Sequence, residues 1–226
     1  KEVPCFEPCR HVDKFEKLEV KNLHFYYGDR KVLENVHLEV NAGELIGIAG
    51  PIGSGKSTLT KLLIRVLEPP ENTVFVNGID VRHIPLKELR SLVTYVPQSI
   101  YLFSMTVRDN LKFGNPTATD EQIWEALEVA CLAEDIRLLP QGLDTLIGER
   151  GLTLSGGQKQ RMAIARALLA DRPVLMLDDA FSALDTVTEE QLVKNLVDYA
   201  RLNNKSVILV SHRISALLPT DRVYVL

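Results

Sequence analysis

The chain has 226 residues, of which 46% are hydrophobic, and its formal net charge is −4 at pH 7. This length and apolar content suffice for one domain with a sizeable core. The acidic balance argues against a nucleic-acid partner, which usually selects a basic face. No apolar run reaches the roughly 20 residues that span a bilayer.

The N-terminal residues favour a linker over positions 1–17. The three cysteines, Cys5, Cys9 and Cys131, are too few for a disulfide scaffold and are typical of a reducing compartment. Cys5 and Cys9 with nearby His11 form an alternative metal site, but the adjacent prolines favour the linker. The chain begins with Lys1 rather than Met and ends on a strand-like run, so we expect both ends to be cut from a longer protein.

Apolar runs predict the strands, and several are hydrophobic at every position, which is typical of strands buried on both faces. In chain order, the predicted strands are 18–25, 36–40, 45–49, 74–76, 93–96, 174–177, 207–210 and 222–226. Helical periodicity predicts helices over 56–67, 86–92, 120–131, 155–169 and 188–202.

The order of these elements predicts the fold class. Strand and helix alternate in the middle and at the end of the chain, which indicates a mainly parallel α/β sheet. Roughly the first forty residues favour antiparallel strands instead. Between 99 and 153 strand signals vanish and glycine and proline interrupt short helices, which indicates a small helical lobe.

A glycine-rich loop follows the predicted strand at 45–49. Its residues, Gly50-Pro51-Ile52-Gly53-Ser54-Gly55-Lys56-Ser57, fit the pattern G-x-x-x-x-G-K-[ST] between a strand and a helix. The glycines let the backbone wrap phosphate oxygens, Lys56 neutralises the β- and γ-phosphates, and the Ser57 hydroxyl ligates Mg²⁺. The alternative, an ordinary glycine-rich turn, is disfavoured by this placement.

Polar residues follow three other buried strands. Gln98 comes after 93–96, Asp178 and Asp179 come after 174–177, and His212 comes after 207–210. Open α/β sheets bind ligands beyond the carboxyl ends of their strands. Taken alone, Gln98 is an ordinary loop amide and His212 a neighbour of a helix cap, but their convergence predicts one phosphate site.

A second glycine-opened helix start lies at Leu154-Ser155-Gly156-Gly157-Gln158. Free backbone N–H groups and the helix dipole make such a start an anion site. Unlike the loop at Gly50, it carries no lysine and no metal-ligating hydroxyl of its own. This difference between the two helix starts predicts a nucleotide held between two domains, which are either two copies of this domain or this domain and a related one.

From about residue 18 to the end, the sequence resembles the nucleotide-binding domain of ATP-binding cassette (ABC) transporters. The matching motifs occur in family order: Tyr27, the Walker A loop Gly50 to Thr58, the Q-loop Gln98, the signature Leu154 to Gln158, the Walker B Asp178, the D-loop Ser182 to Asp185 and the switch His212. The resemblance implies a P-loop NTPase (RecA-like) parallel-sheet core over 18–226, with an N-terminal antiparallel β subdomain and an α-helical subdomain inserted at about 99–153.

The resemblance also implies ATP and Mg²⁺ as ligands and assigns roles to the motif residues. Tyr27 stacks on adenine, although a strand-end aromatic is usually core; its spacing from Val32 and Leu33 favours the stacking role. The implied phosphate-binding residues are Gly50, Gly53, Ser54, Gly55, Lys56, Ser57 and Thr58; the implied metal ligands are Ser57, Gln98 and Asp178; the implied catalytic residues are Asp179, His212, Gln98 and Lys56. Ser155, Gly156, Gly157 and Gln158 close over ATP held by a second nucleotide-binding domain, in a head-to-tail dimer.

Two further segments resemble the exporter branch of the family. These are 99–110, after the Q-loop, and the X-loop-like Gly148-Glu149-Arg150-Gly151. They imply a transmembrane domain whose coupling helices contact the helical subdomain, and a place at the cytoplasmic face of the cell membrane. Without the resemblance, Glu149 and Arg150 are a solvated surface pair.

One position departs from the family pattern. Active members carry glutamate directly after the Walker B aspartate, and this chain has Asp179. The side chain is one methylene shorter, so its carboxylate withdraws by roughly an ångström from the attacking water, and misplacement on that scale costs around a hundredfold in rate. We therefore predict a weakly hydrolytic site in one half of a heterodimeric exporter.

Three alternatives remain open at this point. The first is a homodimeric exporter in which aspartate works slowly. The second is a soluble cassette protein of DNA repair or chromosome structure, although 58–153 contains none of the sustained heptads that such proteins insert. The third is another P-loop enzyme, such as a small-molecule kinase or GTPase, which has no need of the 154–158 run.

Overall fold

The computed structural model describes residues 5–148 and 152–226. Glu149, Arg150 and Gly151 of the predicted X-loop lie outside the described residues. Within the described ranges the strands are β1 (Lys17–Tyr27), β2 (Arg30–Asn41), β3 (Leu45–Ala49), β4 (Val74–Val76), β5 (Ile79–Asp80), β6 (Val93–Val96), β7 (Val174–Asp178), β8 (Ser206–Ser211) and β9 (Arg222–Val225). The helices are α1 (Lys56–Leu63), α2 (Leu86–Leu92), α3 (Val107–Lys112), α4 (Asp120–Val129), α5 (Ala133–Arg137), α6 (Gly156–Leu169) and α7 (Thr186–Leu202).

The strands form two sheets. One is antiparallel with the order β2-β1-β4-β5, and the other is parallel with the order β6-β7-β8-β3-β9. Every residue of β3, β7 and β8 is buried, as their continuous apolar runs predict. The predicted fold class, a parallel α/β core with an N-terminal antiparallel sheet, is confirmed.

Each face of the parallel sheet packs against a different layer. Because side chains alternate along a strand, Leu175 and Leu177 pack with the helical lobe, α6 and α7, while Met176 joins β1, β2, α1 and α2 on the opposite face. The register aligns the carboxyl ends of the strands, with Ala49 opposite Ser211 and Asp178 opposite Val210. One edge of the sheet therefore presents the loops that follow β3, β7 and β8.

Helices α3, α4 and α5 and a short 3-10 turn at Gly142–Asp144 form the lobe between β6 and α6. The lobe buries an apolar core of its own that is continuous with α6, through residues such as Leu127 and Ile136. The described part of the lobe contains only isolated bridges, Thr106 with Leu146 and Ile147 with Leu152, and no longer strand.

Local contacts move three helix ends from their predicted positions. Helix α1 ends at Leu63, not at 67, because Arg65 adopts a left-handed φ of +50° and its buried guanidinium donates to carbonyl groups near the 3-10 turn at Val81–His83. Helix α4 ends at Val129 because Cys131 has a φ of +55°. Helix α7 begins two residues before the predicted Thr188, since Asp185 caps it by accepting the Thr188 N–H at 3.0 Å.

The segment before β1, predicted as a linker, lies against the antiparallel layer. Val12 and Phe15 are buried there. Cys5 and Cys9 are joined by a disulfide, with their Cα atoms 5.9 Å apart. His11 contacts the Glu88 carboxylate at 2.6 Å rather than the cysteines. Within 5–148 and 152–226, no helix has the length and apolar character to cross a bilayer.

Candidate nucleotide site

The loop between β3 and α1 has room only for glycine at two positions. A Cβ on Gly55, whose φ is +96°, would lie 2.7 Å from Leu33 Cδ2. A Cβ on Gly50 would lie 2.5 Å from Ser54 Oγ. Gly53 also has a left-handed φ, of +84°, but no atom lies within 4 Å of its would-be Cβ. The loop therefore packs tightly at its base and stays open at Gly53, where the cavity begins.

The Lys56 side chain lies within this loop. Its Nζ donates to the carbonyl oxygens of Gly50 and Pro51, both at 2.7 Å. Lys56 is buried and is the first residue of α1, where the helix dipole adds positive potential. An ammonium group and a helix start together suit a polyphosphate.

The carboxylate of Asp178 ties the loop to the end of β7. The side chain is buried, and its Oδ1 accepts from Ser57 Oγ at 3.1 Å. Its Oδ2 accepts from Thr60 Oγ1 at 3.0 Å and from the Tyr95 hydroxyl at 2.8 Å. Burial raises the pKa of Tyr95, and the Asp178 charge acts in the same direction, so this phenol stays a donor.

These groups suit Mg²⁺ only in company with a phosphate. Within the described ranges, no cluster of three or more His, Cys, Asp or Glu side chains is arranged to hold a metal ion. Magnesium is commonly bound by one or two carboxylates together with substrate phosphates. The hydroxyl of Ser57 beside the Asp178 carboxylate matches that donor set.

Asp179 lies at the centre of a second group of side chains. Its backbone has a φ of +52°, a left-handed conformation that aspartate tolerates better than most residues. Its N–H donates to the Val210 carbonyl at 2.8 Å, which fixes it beside β8. Its carboxylate accepts from Gln98 Nε2 at 3.2 Å and contacts His212 Nδ1 at 3.1 Å. Gln98, which the resemblance makes a metal ligand, thus directs its amide nitrogen to Asp179.

The two groups share one cavity of about 300 Å³. Its predicted lining residues are Tyr27, Gly53, Gly55, Lys56, Ser57, Thr58, Gln98, Asp178, Asp179 and His212, and its other lining residues are Arg30, Val32 and Ile52. Tyr27 is 48% exposed at the cavity mouth and packs edge-on against Phe25, with ring centroids 5.2 Å apart. The tyrosine ring is thus partly free to stack on a flat ligand.

The run 154–158 forms the start of α6, as predicted. Ser155 is the N-cap: its Oγ accepts the Gln158 N–H at 3.2 Å, and its own N–H donates to Gln158 Oε1 at 2.9 Å. None of these five residues lines the cavity around Lys56. One copy of the chain therefore presents the two glycine-opened helix starts as separate surfaces.

The start of α6 packs closely on the segment after β7. A Cβ on Gly157 would lie 3.0 Å from the Ala183 carbonyl oxygen. The buried amide of Gln160 donates to Ser182 Oγ at 2.9 Å and accepts the Ala183 N–H at 3.0 Å. The predicted D-loop and the signature helix are thus held together within one chain.

Sequence reasoning missed four residues of this region: Thr60, Tyr95, Asp135 and Gln160. Thr60 could have been predicted from its spacing, since it lies three residues after Ser57 on the same face of α1. Tyr95 is a polar-tipped residue inside an apolar strand beside β7. Asp135 accepts from Gln158 Nε2 at 2.9 Å across a tertiary contact that no local pattern indicates.

Comparison with known proteins places the chain in a family. The family model described as ABC transporter matches residues 33–182. The mitochondrial iron-sulfur clusters transporter ATM1 of Candida glabrata is 43% identical over 93% of this chain and 29% of that protein. The ATP-dependent lipid A-core flippase of Desulfotalea psychrophila is 40% identical over 93% of this chain and 36% of that protein.

The fold comparison agrees. A solved structure of a bacterial Atm1-family ABC exporter with ATP bound superimposes with a TM-score of 0.91 at 37% identity, over 100% of this chain and 40% of that one. The chain spans about a third of the length of the curated relatives it matches. The family match and the shared fold together show that the chain belongs to the ABC transporter family.

Proposed function

We propose that the chain is the ATP-binding and ATP-hydrolysing motor domain of an ABC exporter. The observation that carries this proposal is the hydrogen bond of 3.1 Å between Ser57 Oγ and Asp178 Oδ1. It brings the glycine loop with Lys56 and the carboxylate after β7 to one sheet edge, which is the arrangement that phosphoryl transfer in P-loop proteins requires. Membership of the family implies ATP binding and hydrolysis.

The residues of the cavity divide the work of holding ATP. The loop N–H groups from Gly53 to Thr58 and the Lys56 ammonium bind the β- and γ-phosphates, and Tyr27 offers its ring face to adenine. Ser57 and Asp178 hold Mg²⁺, with Gln98 at the edge of the same cavity. A magnesium ion held there would neutralise charge on the phosphates.

A second nucleotide-binding domain completes the site. Ser155, Gly156, Gly157 and Gln158 lie at the start of the 14-residue α6, away from the cavity of their own chain. In a head-to-tail dimer this helix start faces the γ-phosphate held by the other domain, which suits its free N–H groups and dipole. Binding of ATP then closes the pair, and hydrolysis releases it.

The site around Lys56 is proposed to be weakly hydrolytic. Both oxygens of the Asp179 carboxylate are engaged, by Gln98 and by His212. Its short side chain keeps these oxygens close to the backbone beside β8, roughly an ångström short of the reach of a glutamate. A general base must lie within hydrogen-bond distance of the water that it activates, so the shorter reach lowers activity. We therefore place this chain in a heterodimer, whose competent site is formed by the partner's Walker motifs and this chain's signature.

A membrane domain is the other proposed partner. A groove of about 520 Å³ runs between α6 and the segment after β6, and it is lined by the aromatic residues Tyr101, Phe103 and Phe113. The Phe103 and Phe113 rings stack with centroids 4.5 Å apart, and Phe113 is largely exposed. This surface suits a coupling helix, which supports our proposal that the domain lies at the cytoplasmic face of the membrane. The longest described helix of the lobe, α4, has 10 residues, which does not favour the DNA-repair alternative with its long coiled coils.

Titration with MgATP tests the proposal. The Lys56→Ala variant removes the ammonium group in the loop, and we expect the affinity for MgATP to fall by about tenfold or more, since a charge-assisted hydrogen bond contributes about 1.5–3 kcal/mol. Lys61→Ala, a change of the same type in the last turn of α1, is the matched control and keeps wild-type affinity. Equal affinity for wild type and Lys56→Ala would exclude this loop as the nucleotide site.

A further inference from the structure

Asp135, on α5 of the helical lobe, contacts the signature helix through both carboxylate oxygens. Its Oδ1 accepts from Gln158 Nε2 at 2.9 Å, and its Oδ2 accepts from Arg161 Nη1 at 2.9 Å. The Arg161 side chain is only 13% exposed, and it also donates to the Cys131 carbonyl and, from Nε at 3.3 Å, to the Gly157 carbonyl. Asp135 is therefore held in place by a partly buried arginine.

This contact determines which way the Gln158 amide points. A carboxylate only accepts hydrogen bonds, so Gln158 must turn its NH₂ group toward Asp135. The amide oxygen then faces the N–H of Ser155, at 2.9 Å. The reversed amide would place an oxygen against the carboxylate and an NH₂ group against an N–H, and both hydrogen bonds would be lost.

The orientation of Gln158 in turn fixes Ser155. The two residues form a reciprocal capping box, in which Ser155 Oγ accepts the Gln158 N–H at 3.2 Å. Because Oγ is used as an acceptor, the hydroxyl hydrogen of Ser155 remains available to donate to a ligand. The Asp135 carboxylate is connected to the helix start through two hydrogen bonds, by way of Gln158. An unpaired negative charge there would weaken anion binding, but this carboxylate is paired with Arg161.

We propose that Asp135 is a positioning residue for the signature: by fixing the Gln158 amide, it sets the Ser155 hydroxyl that binds the γ-phosphate held by the partner domain. The inference rests on the proposed function, because that function supplies the γ-phosphate. It adds a residue of the helical lobe to the machinery and makes the geometry of the signature depend on how α5 packs on α6.

An exchange of polarity between the two side chains tests this role without changing their shape. In Asp135→Asn, the new amide can satisfy Gln158 or Arg161 but not both. In Gln158→Glu, two carboxylates face each other. In the double variant, the new amide at 135 donates to the new carboxylate at 158, which still accepts the Ser155 N–H, while the amide oxygen at 135 accepts from Arg161.

The first readout is hydrogen exchange of the Ser155 N–H in the full chain, which needs no second domain. We expect Asp135→Asn to raise this exchange rate by about tenfold, as loss of a neutral hydrogen bond predicts, and the double variant to restore it. Gln158→Glu is expected to keep slow exchange, because its carboxylate still accepts the Ser155 N–H. Amides of β7 keep wild-type protection in all three. The control Asp144→Asn, which removes a carboxylate that accepts from Arg108 in the same lobe, leaves Ser155 exchange unchanged.

The second readout is MgATP-dependent association, followed by analytical ultracentrifugation beside MgATP titration. Asp135→Asn, at a residue outside the cavity around Lys56, is expected to bind MgATP with wild-type affinity but to associate about tenfold more weakly, with recovery in the double variant. Unchanged Ser155 exchange in Asp135→Asn, or no recovery in the double variant, overturns the role of Asp135. Failure of wild type to bind MgATP would instead refute the proposed function.

Discussion

The Nδ1 atom of His212 lies 3.1 Å from Oδ1 of Asp179, so the residues that follow β8 and β7 are joined by a side-chain contact. An ionised carboxylate only accepts, so the imidazole donates from Nδ1. This arrangement holds the ring in one orientation. It also engages the carboxylate that we propose activates water, and Gln98 occupies the other oxygen of Asp179.

Lengthening this side chain should raise ATP turnover. In Asp179→Glu the carboxylate reaches about an ångström further, and we expect the ATPase rate to rise by about tenfold to a hundredfold, because misplacement on that scale costs around a hundredfold. The rate is measured as phosphate release under saturating MgATP. The control Glu190→Asp exchanges the same two residue types at an exposed position of α7 and should leave the rate unchanged. Wild type that already turns over as fast as the variant would refute the weakly hydrolytic site.

The Tyr95 hydroxyl should stabilise the fold through Asp178. Tyr95→Phe removes the 2.8 Å hydrogen bond to a buried carboxylate, which keeps donors from Ser57 and Thr60. We expect the free energy of unfolding to fall by about 1–2 kcal/mol, measured by urea denaturation. Tyr101→Phe, at a ring that is 71% exposed, should change it by less than about 0.5 kcal/mol. Equal effects of the two changes would show that this bond adds nothing to stability.

The two signature glycines should differ in their tolerance of alanine. A Cβ on Gly157 meets the backbone oxygen of Ala183 at 3.0 Å, whereas one on Gly156 meets only the Ala183 methyl group at 3.3 Å. Gly157→Ala should therefore lower the free energy of unfolding by about 1–3 kcal/mol, the usual cost of overpacking. Gly156→Ala should be close to neutral, because the gain in helix propensity offsets the smaller contact. A larger loss for Gly156→Ala would contradict the packing between α6 and the D-loop.

The carboxylate of Asp221 should make stability depend on acid pH. Its hydrogen bond from Arg201, supported by the Leu45 N–H at 2.8 Å, holds the pKa of Asp221 below its ordinary value. A depressed folded-state pKa contributes stability above the unfolded pKa, near 3.8, and that stability is lost as the pH falls through the folded value. Asp221→Asn should therefore lower Tm near neutral pH, and the difference from wild type should shrink below about pH 4.

The matched control for this pH series is Asp198→Asn, at an exposed position of α7. Its Tm difference from wild type should stay small throughout. A constant Tm difference for Asp221→Asn between neutral and acid pH would contradict the linkage.

Prediction from the sequence was most accurate for elements whose bounds are set by burial of apolar residues. Strands β3, β4 and β6 have the predicted bounds, since their apolar runs stop where the chain leaves the core. Helix ends were predicted less well, because Arg65 and Cys131 adopt left-handed conformations that depend on tertiary contacts. At the candidate site, strand-end residues such as Asp178 followed from topology. The roles of Tyr95 and Asp135 could not be predicted, because their hydrogen-bond partners lie on a strand or helix that is distant in sequence.

The central claim is that a nucleotide gripped by the Lys56 loop of one domain is sealed by the start of α6 from another. A structure of the chain determined with ATP and Mg²⁺ tests it most directly. The account predicts a triphosphate beside Lys56 Nζ and Ser155 Oγ within hydrogen-bond distance of the γ-phosphate held by the facing domain. Nucleotide bound in the Lys56 loop with Ser155 distant from every γ-phosphate, in all assemblies present, would contradict it.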